Sequence, residues 1–144
     1  VCIGPGGIPK HAGRSASVGP LGLEGDGHSF RLHGGANRAV CLFSIEDYKS
    51  LMRDGVEADA PGSYGENLTT LGLDYRVLRP GDLLRVGAEL ELEIFDVREP
   101  CGTLKTIDRR FPNLMVGRSG WVCRVRAPGE VHPGDRIVRT AAGP

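Results

Sequence analysis

Long hydrophobic runs are missing from this sequence. Nowhere in its 144 residues do eighteen apolar side chains follow one another, so no transmembrane helix is predicted. The opening residues, VCIGPGG, carry neither the basic segment nor the apolar segment of a signal peptide. We therefore expect a cytoplasmic protein with no membrane association. An opening directly on an apolar stretch also suggests that the natural N-terminus lies upstream of Val1.

An excess of charge of either sign is also missing. Eighteen basic and eighteen acidic side chains give a formal net charge of zero. No overall field therefore attracts the protein to nucleic acid, and a charged ligand must be bound by a local cluster. The length fits a single domain over residues 1–144 with a core of its own.

Paired cysteine motifs are absent as well. The four cysteines contain no C-x-x-C pair, which excludes zinc-ribbon and thioredoxin arrangements, and no zinc site is expected. Cys2, Cys41 and Cys123 lie in apolar runs and are interpreted as buried hydrophobic side chains. Cys101 differs because proline and glycine flank it in REPCGT, which predicts an accessible thiol.

The common nucleotide and serine-hydrolase motifs do not occur. There is no G-x-G-x-x-G after a strand, no P-loop and no nucleophile elbow. What the sequence does have is 22 glycines and 10 prolines, dispersed between apolar runs. This distribution predicts many short strands joined by tight turns.

Alternating side chains predict the strands. Leu90, Leu92 and Ile94 alternate with glutamates, and residues 121–126 alternate Trp, Cys and Val against Val122 and two arginines. The apolar run at residues 38–43 is typical of an interior strand. Pro-Gly pairs within 79–82 and 132–135 predict two similar type II turns, each leading into a strand.

One helix is predicted clearly. Ser44 is a suitable N-cap, Asp47 completes a capping box, and Gly55 can end the helix. Its buried face would contain Ile45, Tyr48, Leu51 and Met52. A second, shorter helix is predicted from about residue 103 to 109, which would place Cys101 just before a helix N-terminus.

A glycine-rich loop before the interior strand is the first candidate site. Asp26, His28 and His33 lie within eight residues and could ligate a metal, although no fourth ligand is spaced nearby. The preferred interpretation is an anion-binding loop, in which backbone amides at residues 34–35 approach a ligand and Arg38 supplies charge. A plain polar turn remains the alternative.

The segment PGSYGENLTTLGL, residues 61–73, is the second candidate. Its glycines free the backbone, while Glu66 offers an acceptor and Asn67 an amide that both donates and accepts.

The order of these motifs is more specific than any one of them. GLEGDGH, HGGANRAV, a short helix, YGENLTTLGL, REPC, GRSGWVCRV and PGEVHPGD follow one another from about Pro9 to Val138. This series resembles the MOSC domain family, found in molybdenum-cofactor sulfurases, in the mitochondrial amidoxime-reducing component and in small bacterial proteins. The resemblance implies a mainly β, α+β fold: a β-barrel of the MOSC type with a few short helices.

The resemblance also implies a role for Cys101. In this family the cysteine of the Pro-Cys motif is the expected molybdenum ligand or, in other proposals, the carrier of a persulfide. A soft thiolate suits both roles. Arg98 can add cationic stabilisation three residues earlier, and Pro100 stiffens the approach to the thiol.

Molybdopterin, the organic part of the molybdenum cofactor, ends in a phosphate. The residues expected to bind it are Lys10, Arg38 and the glycines of the loop, with Glu66 and Asn67 on the polar edges of pterin or substrate. The loop glycines are Gly34 and Gly35. His33 is the candidate proton donor.

Three functions remain open at this point. The first is a molybdenum-dependent oxidoreductase acting on N-hydroxylated small molecules, with electrons from a separate reductase. The second is a sulfur carrier with a persulfide on Cys101, loaded by a sulfur-donor protein. The third is a barrel that binds a small anion or another protein without catalysis.

Overall fold

A six-stranded sheet dominates the fold. The computed structural model describes residues 1–27 and 34–143. The strands, in chain order from β1 to β11, are Cys2–Ile3, His11–Ala12, Ala16–Gly19, Gly22–Leu23, Val40–Ser44, Leu68–Thr70, Leu83–Val86, Leu90–Val97, Trp121–Ala127, Gly129–Val131 and Ile137–Ala141.

The large sheet has the strand order β11-β7-β8-β9-β5-β6. Its neighbours are antiparallel except β5 and β6, which run parallel. Two register shifts in the β8–β9 pair, between Glu91 and Leu92 and between Ile94 and Asp96, mark bulges. Bulges increase local twist, and the sheet is curled into half a barrel. The other strands of the described residues form a three-stranded sheet, β10-β3-β4, and the pair β1-β2.

The barrel core lies between the large sheet and the three-stranded sheet. Val18, Leu23 and Val131 from the small sheet join the inward side chains of the large one, including Leu84 and Leu92. The alternation predicted over residues 90–94 is confirmed, since all three apolar side chains are fully buried there.

The two Pro-Gly turns have the predicted geometry. Gly81 and Gly134 both have φ of 90°, the left-handed value that position i+2 of a type II turn requires. In each turn the amide of the following aspartate, Asp82 or Asp135, donates to the carbonyl three residues earlier, at 3.1 Å. The strands that follow, β7 and β11, pair with each other.

The predicted helix is confirmed as α1, Ile45–Arg53. The Ser44 hydroxyl accepts from the Asp47 amide at 3.0 Å and donates to its carboxylate at 2.8 Å. Gly55 has φ of 83° and donates to the Met52 carbonyl at 2.9 Å, which ends the helix. The placement of Met52 on the buried face was wrong, because its side chain is 47% exposed.

The second predicted helix is shorter and of another type. A 3-10 helix covers Gly102–Thr106, where an α-helix was expected over 103–109. It ends early because the Asp108 carboxylate accepts from the backbone amide of Arg110 at 2.8 Å, a local turn that competes with helical bonding. Further 3-10 helices are Ala36–Arg38 and Asn113–Met115.

A second hydrophobic core, here called the loop core, lies outside the barrel. It joins Phe43 of β5 to α1 and to two irregular segments, and its buried members are Phe43, Tyr48, Leu51, Val56, Tyr64, Leu104, Phe111 and Met115. Tyr64 is central, with ring centroids 5.0 Å from Phe43 and 4.8 Å from Tyr48. Strand β5 therefore contributes buried side chains to a core on each of its faces, as its continuous apolar run predicted.

The fold class is the predicted one, mainly sheet with a barrel-like curl and short helices. In residues 1–27 and 34–143, no helix is long and apolar enough to cross a membrane.

Candidate functional site

A cavity of about 100 Å³ lies where β8 ends, beside the first residues of β5 and of β9. Cys41 of β5 and Val122 of β9 are Cα partners and both line it, whereas the next residues, Leu42 and Cys123, point into the barrel core. Side chains alternate along strands, so the cavity lies on the opposite face of the sheet. The lining residues are Gly7, Ile8, Lys10, Gly27, Arg38, Cys41, Gly65, Asn67, Arg98, Glu99, Cys101, Thr103 and Val122.

Cys101 is on the cavity wall, partly exposed, at the N-cap of the 3-10 helix Gly102–Thr106. The pKa of its thiol is lowered, chiefly by the hydroxyl of Thr103 and then by the Thr103 amide. Partial burial opposes this effect, while the Arg98 guanidinium and the Gly102 amide add to it. The thiolate is thus stabilised in an accessible place, which is the environment of a reactive cysteine.

Thr103 was missed by the sequence reasoning. It lines the cavity and has the largest effect on the thiol. The sequence does contain a signal for this role, because threonine hydroxyls in turns commonly form hydrogen bonds with groups a few residues away. Glu99 lies two residues before Cys101, but its side chain is exposed, where solvent screens its charge.

Arg98 is anchored at two points. Its backbone amide donates to the Gly120 carbonyl at 3.0 Å, and its Nη2 donates to the Tyr64 carbonyl. Its Nη1 is buried and has no hydrogen-bond partner within the described residues. The guanidinium is therefore held by the loop core through the Tyr64 carbonyl.

Gly65 leaves room for the contact between Arg98 and the Tyr64 carbonyl. Its φ is 82°, and a Cβ there would lie 2.9 Å from Ile8 and 3.8 Å from Arg98 Nη2. A side chain at this position would be strained and would push on the segment that carries the Arg98 contact.

Lys10 contributes a charge that is already compensated. Its side chain is 7% exposed, and Nζ lies 2.5 Å from Oδ2 of Asp26. The same oxygen accepts from Asn67 Nδ2 at 2.8 Å, and Asp26 Oδ1 accepts from the Gly4 amide at 3.0 Å. Lys10 therefore lines the cavity as the cation of a buried ion pair, in which Asp26 is the anion.

Glu66 is fully buried and lies behind the cavity wall. Its Oε1 accepts from the Tyr48 hydroxyl at 2.7 Å, the Gly62 amide at 2.8 Å and the Thr69 hydroxyl at 2.8 Å. Burial and then the Glu66 carboxylate raise the pKa of Tyr48, so this phenol remains a donor. Glu66 therefore supports the loop that carries Tyr64.

Asn67 lines the cavity and also joins its segments. Its amide nitrogen on the main chain donates to the Cys41 carbonyl at 2.8 Å, and its Oδ1 accepts from the Cys41 amide at 3.0 Å. These two bonds extend the pairing of β5. The Gly-Glu-Asn motif thus builds the frame of the cavity.

The glycine-rich loop reaches the cavity through Arg38. Gly35 starts the 3-10 helix Ala36–Arg38 with φ of 91°, and Gly34 and Gly35 are not among the lining residues in the described part of the chain. His28 and His33 lie outside the described residues. Within 1–27 and 34–143, no group of three His, Cys, Asp or Glu side chains could hold a metal ion.

The other cysteines divide into two kinds. Cys2 and Cys123 are fully buried, as expected for hydrophobic side chains. Cys41 was expected to be of this kind, but it is partly exposed and lines the cavity. One face of its strand packs in the barrel core, and the other borders the cavity. Burial raises the pKa of the Cys41 thiol, and Arg98 only partly opposes this. One cavity thus contains two thiols with opposite pKa shifts.

The MOSC domain model matches residues 29–138. Protein YiiM of Escherichia coli is 35% identical over 121 residues, covering 77% of this chain and 53% of YiiM. A protein named "Reductase" from Gibberella moniliformis is 32% identical over 126 residues, covering 81% of this chain and 22% of that protein. The chain therefore spans from about a fifth to about half of these two relatives.

Solved structures agree with the sequence match. The crystal structure of YiiM from Geobacillus stearothermophilus superposes with a TM-score of 0.77 at 26% identity, covering 94% of this chain and 65% of that one. YiiM from Escherichia coli gives a TM-score of 0.75 at 28% identity, covering 97% and 68%. With a family model matching most of its length, this chain belongs to the MOSC domain family.

Proposed function

We propose that this MOSC protein binds the molybdenum cofactor with Cys101 as the molybdenum ligand and takes part in the reduction of N-hydroxylated compounds. The observation that carries the proposal is an accessible thiol with a lowered pKa in a cavity that also contains Arg98 and Arg38. The name of the Gibberella relative, "Reductase", supports a redox reaction for a protein with this domain.

The donor set fits the cofactor chemically. A thiolate is a soft ligand suited to such a metal centre, and guanidiniums bind phosphate in a bidentate manner. The buried Nη1 of Arg98, which lacks a partner among the described residues, would be satisfied by an anionic group. The cavity of about 100 Å³ is too small for a pterin, so only the metal end would be enclosed.

The residues of this chain would have distinct tasks. Cys101 would hold the metal, Thr103 would orient and stabilise the thiolate, and Arg98 and Arg38 would bind anionic groups. The cofactor, when bound, supplies two-electron redox chemistry. Lys10 and Asn67 would shape the wall, and His33 is the proposed proton donor to the substrate.

Electrons would come from a separate reductase. A cytoplasmic location is consistent with four cysteines that are all free thiols, because reducing compartments keep them so.

Elemental analysis tests the proposal. Protein from a host supplied with molybdate is expected to contain molybdenum near one atom per chain, and Cys101→Ser is expected to lose it. Cys41→Ser is the matched control, since it removes the other thiol of the cavity. Molybdenum retained in Cys101→Ser, or absent from wild-type protein made in a host that synthesises the cofactor, would refute the assignment.

A second candidate is a sulfur carrier with a persulfide on Cys101. The accessible Cys101 thiol with its lowered pKa favours this function as well, because a persulfide forms on a reactive thiolate. Sulfane sulfur bound to Cys101 without molybdenum would favour this function. Neither molybdenum nor sulfur would indicate a barrel that only binds an anion or a protein partner.

A further inference from the structure

We propose that the cavity binds a small sulfur dianion such as thiosulfate between Arg98 and Arg38, and that Cys101 takes its sulfane sulfur when no cofactor is bound. The inference rests on the second candidate function above and names the class of donor: a free sulfur oxyanion instead of a donor protein.

The size of the cavity supports a donor of this class. A volume of about 100 Å³ holds several water molecules, and therefore an ion of a few heavy atoms. Gly7, Gly27 and Gly65 contribute wall without side chains. At Gly27 an added Cβ would lie 2.3 Å from the Pro5 carbonyl oxygen, so this part of the wall has no room for a larger residue.

The charges of the cavity favour a dianion. Of the three basic side chains that line the cavity, Lys10 is neutralised by Asp26, and Arg98 and Arg38 form no ion pair within the described residues. Arg98 Nη1 is buried without a hydrogen bond within those residues. Leaving a buried charged donor unpaired is unfavourable, and an oxyanion with several acceptor oxygens relieves this cost.

Arg98 and Cys101 border the same cavity. Nη2 is occupied by the Tyr64 carbonyl, so the free side of the guanidinium is the one with Nη1. Cys101 follows Arg98 by three residues and lines the same cavity. An anion bound at Arg98 is thereby placed in the small space that the sulfur atom also borders.

The reaction balances without a further oxidant or reductant. The Cys101 thiolate attacks the sulfane sulfur of thiosulfate, a sulfur–sulfur bond forms, and the bond within thiosulfate breaks. Sulfite leaves with the electron pair, and Cys101 carries a persulfide. A small thiol then takes the sulfane sulfur as its own persulfide, which restores the Cys101 thiolate. Exchange of this kind requires access to the attacking thiol and a good leaving group.

Glu99 is expected to affect the same reaction in the opposite direction to the two arginines. Its exposed carboxylate borders the cavity beside the two arginines. It should repel a dianion, although solvent weakens the effect. Removing this charge is therefore expected to increase the rate with thiosulfate slightly.

The experiment uses the 144-residue chain made without cofactor and supplied with thiosulfate. Sulfite release is measured together with intact mass and peptide mapping. We expect one sulfur atom on Cys101, none in Cys101→Ser, and an unchanged result in Cys41→Ser. No sulfite release above that of Cys101→Ser, or sulfur found mainly on Cys41, would overturn the inference.

A ratio of rates isolates the role of charge. For each variant, the rate constant of Cys101 is measured with thiosulfate and with iodoacetamide, a neutral reagent for the same thiol. We expect Arg98→Gln to lower the ratio of the two rate constants about tenfold, and Glu99→Gln to raise it about twofold. Arg38 is partly exposed, so Arg38→Gln should fold, and it too should lower the ratio of the two rate constants. It therefore provides the same test if Arg98→Gln does not fold.

An unchanged ratio in both arginine variants would contradict binding of a dianion by these side chains. The two proposals fail separately. Molybdenum held by Cys101 with no sulfite release would refute only the sulfur donor, whereas sulfite release from a protein that never binds molybdenum would refute only the redox function.

Discussion

The barrel core and the loop core differ in the elements that build them. The barrel core is built by strands whose inward side chains alternate along short stretches, such as Leu90, Leu92 and Ile94. The loop core is built from α1 and irregular segments, and Tyr64 and Leu104 come from parts of the chain that share no repeat. The cavity lies outside the barrel core, on the face of β5 that meets the loop core. Both cores therefore contribute stability, and the irregular one also positions the residues of the site.

A matched pair of leucines tests this division with the largest expected effect. Leu92 in the barrel core and Leu104 in the loop core are both fully buried. Each change to alanine should lower the free energy of unfolding by about 2–5 kcal/mol, through lost burial and a cavity. Denaturant titration measures this loss.

The two variants should differ in the thiol. Leu104 is the buried residue of the 3-10 helix that Cys101 caps, and its amide donates to the Cys101 carbonyl at 3.1 Å. Loss of its packed side chain should loosen this helix, so Leu104→Ala should change the rate of Cys101 alkylation in native conditions. Leu92→Ala should leave that rate unchanged. Equal changes in both variants would contradict the division into two cores.

A buried carboxylate gives the next largest effect. Glu66→Gln replaces the charged acceptor of three hydrogen bonds by a neutral one, and because charge-assisted hydrogen bonds are the stronger kind it should cost about 1–3 kcal/mol of unfolding free energy. Glu91→Gln, on a partly exposed position of β8, is the control and should cost less than about 0.5 kcal/mol. A Glu66→Gln protein as stable as wild type would show that the loop core does not depend on this network.

The two thiols of the cavity give the smallest effect and the sharpest contrast. The pKa of Cys101 is lowered and that of Cys41 is raised, so the Cys101 thiolate forms first as the pH rises. Alkylation with iodoacetamide, followed by peptide mapping across the pH range, should show Cys101 reacting below its ordinary pKa and Cys41 only at alkaline pH.

Thr103 provides the control for that contrast. Thr103→Val should move the Cys101 profile to higher pH, because the largest contribution to the lowered pKa is lost, and Thr103→Ser should keep it. The Cys41 profile should stay in place in both variants. A shift of both profiles together would point to a general change in the cavity.

Regular elements were predictable from the sequence because their signals are local. The capping box at Ser44, the Pro-Gly turns and the alternation at residues 90–94 each depend on neighbours within a few positions. The structure confirms all three. Irregular segments have no such period, which explains why the helix expected over 103–109 was too long.

The site was predictable only in its parts. Cys101, Arg98 and Arg38 were singled out, and all line the cavity. The supporting tasks of Glu66 and Asn67 were not visible, because Tyr48 lies 18 residues from Glu66 and the partners of Asn67 lie up to 65 residues away. The exposure of Cys41 was missed for a related reason, since a continuous apolar run does not show that one face of the strand borders a cavity.

The contact of Lys10, Asp26 and Asn67 also bears on the kinetics of folding. Asp26 accepts from Lys10, 16 positions away, and from Asn67, 41 positions away. Contacts between distant residues form late, because the entropy of closing the chain must be lost before they add stability. We therefore expect the wall of the cavity to be absent from early collapsed states and to be completed only as the last native contacts form.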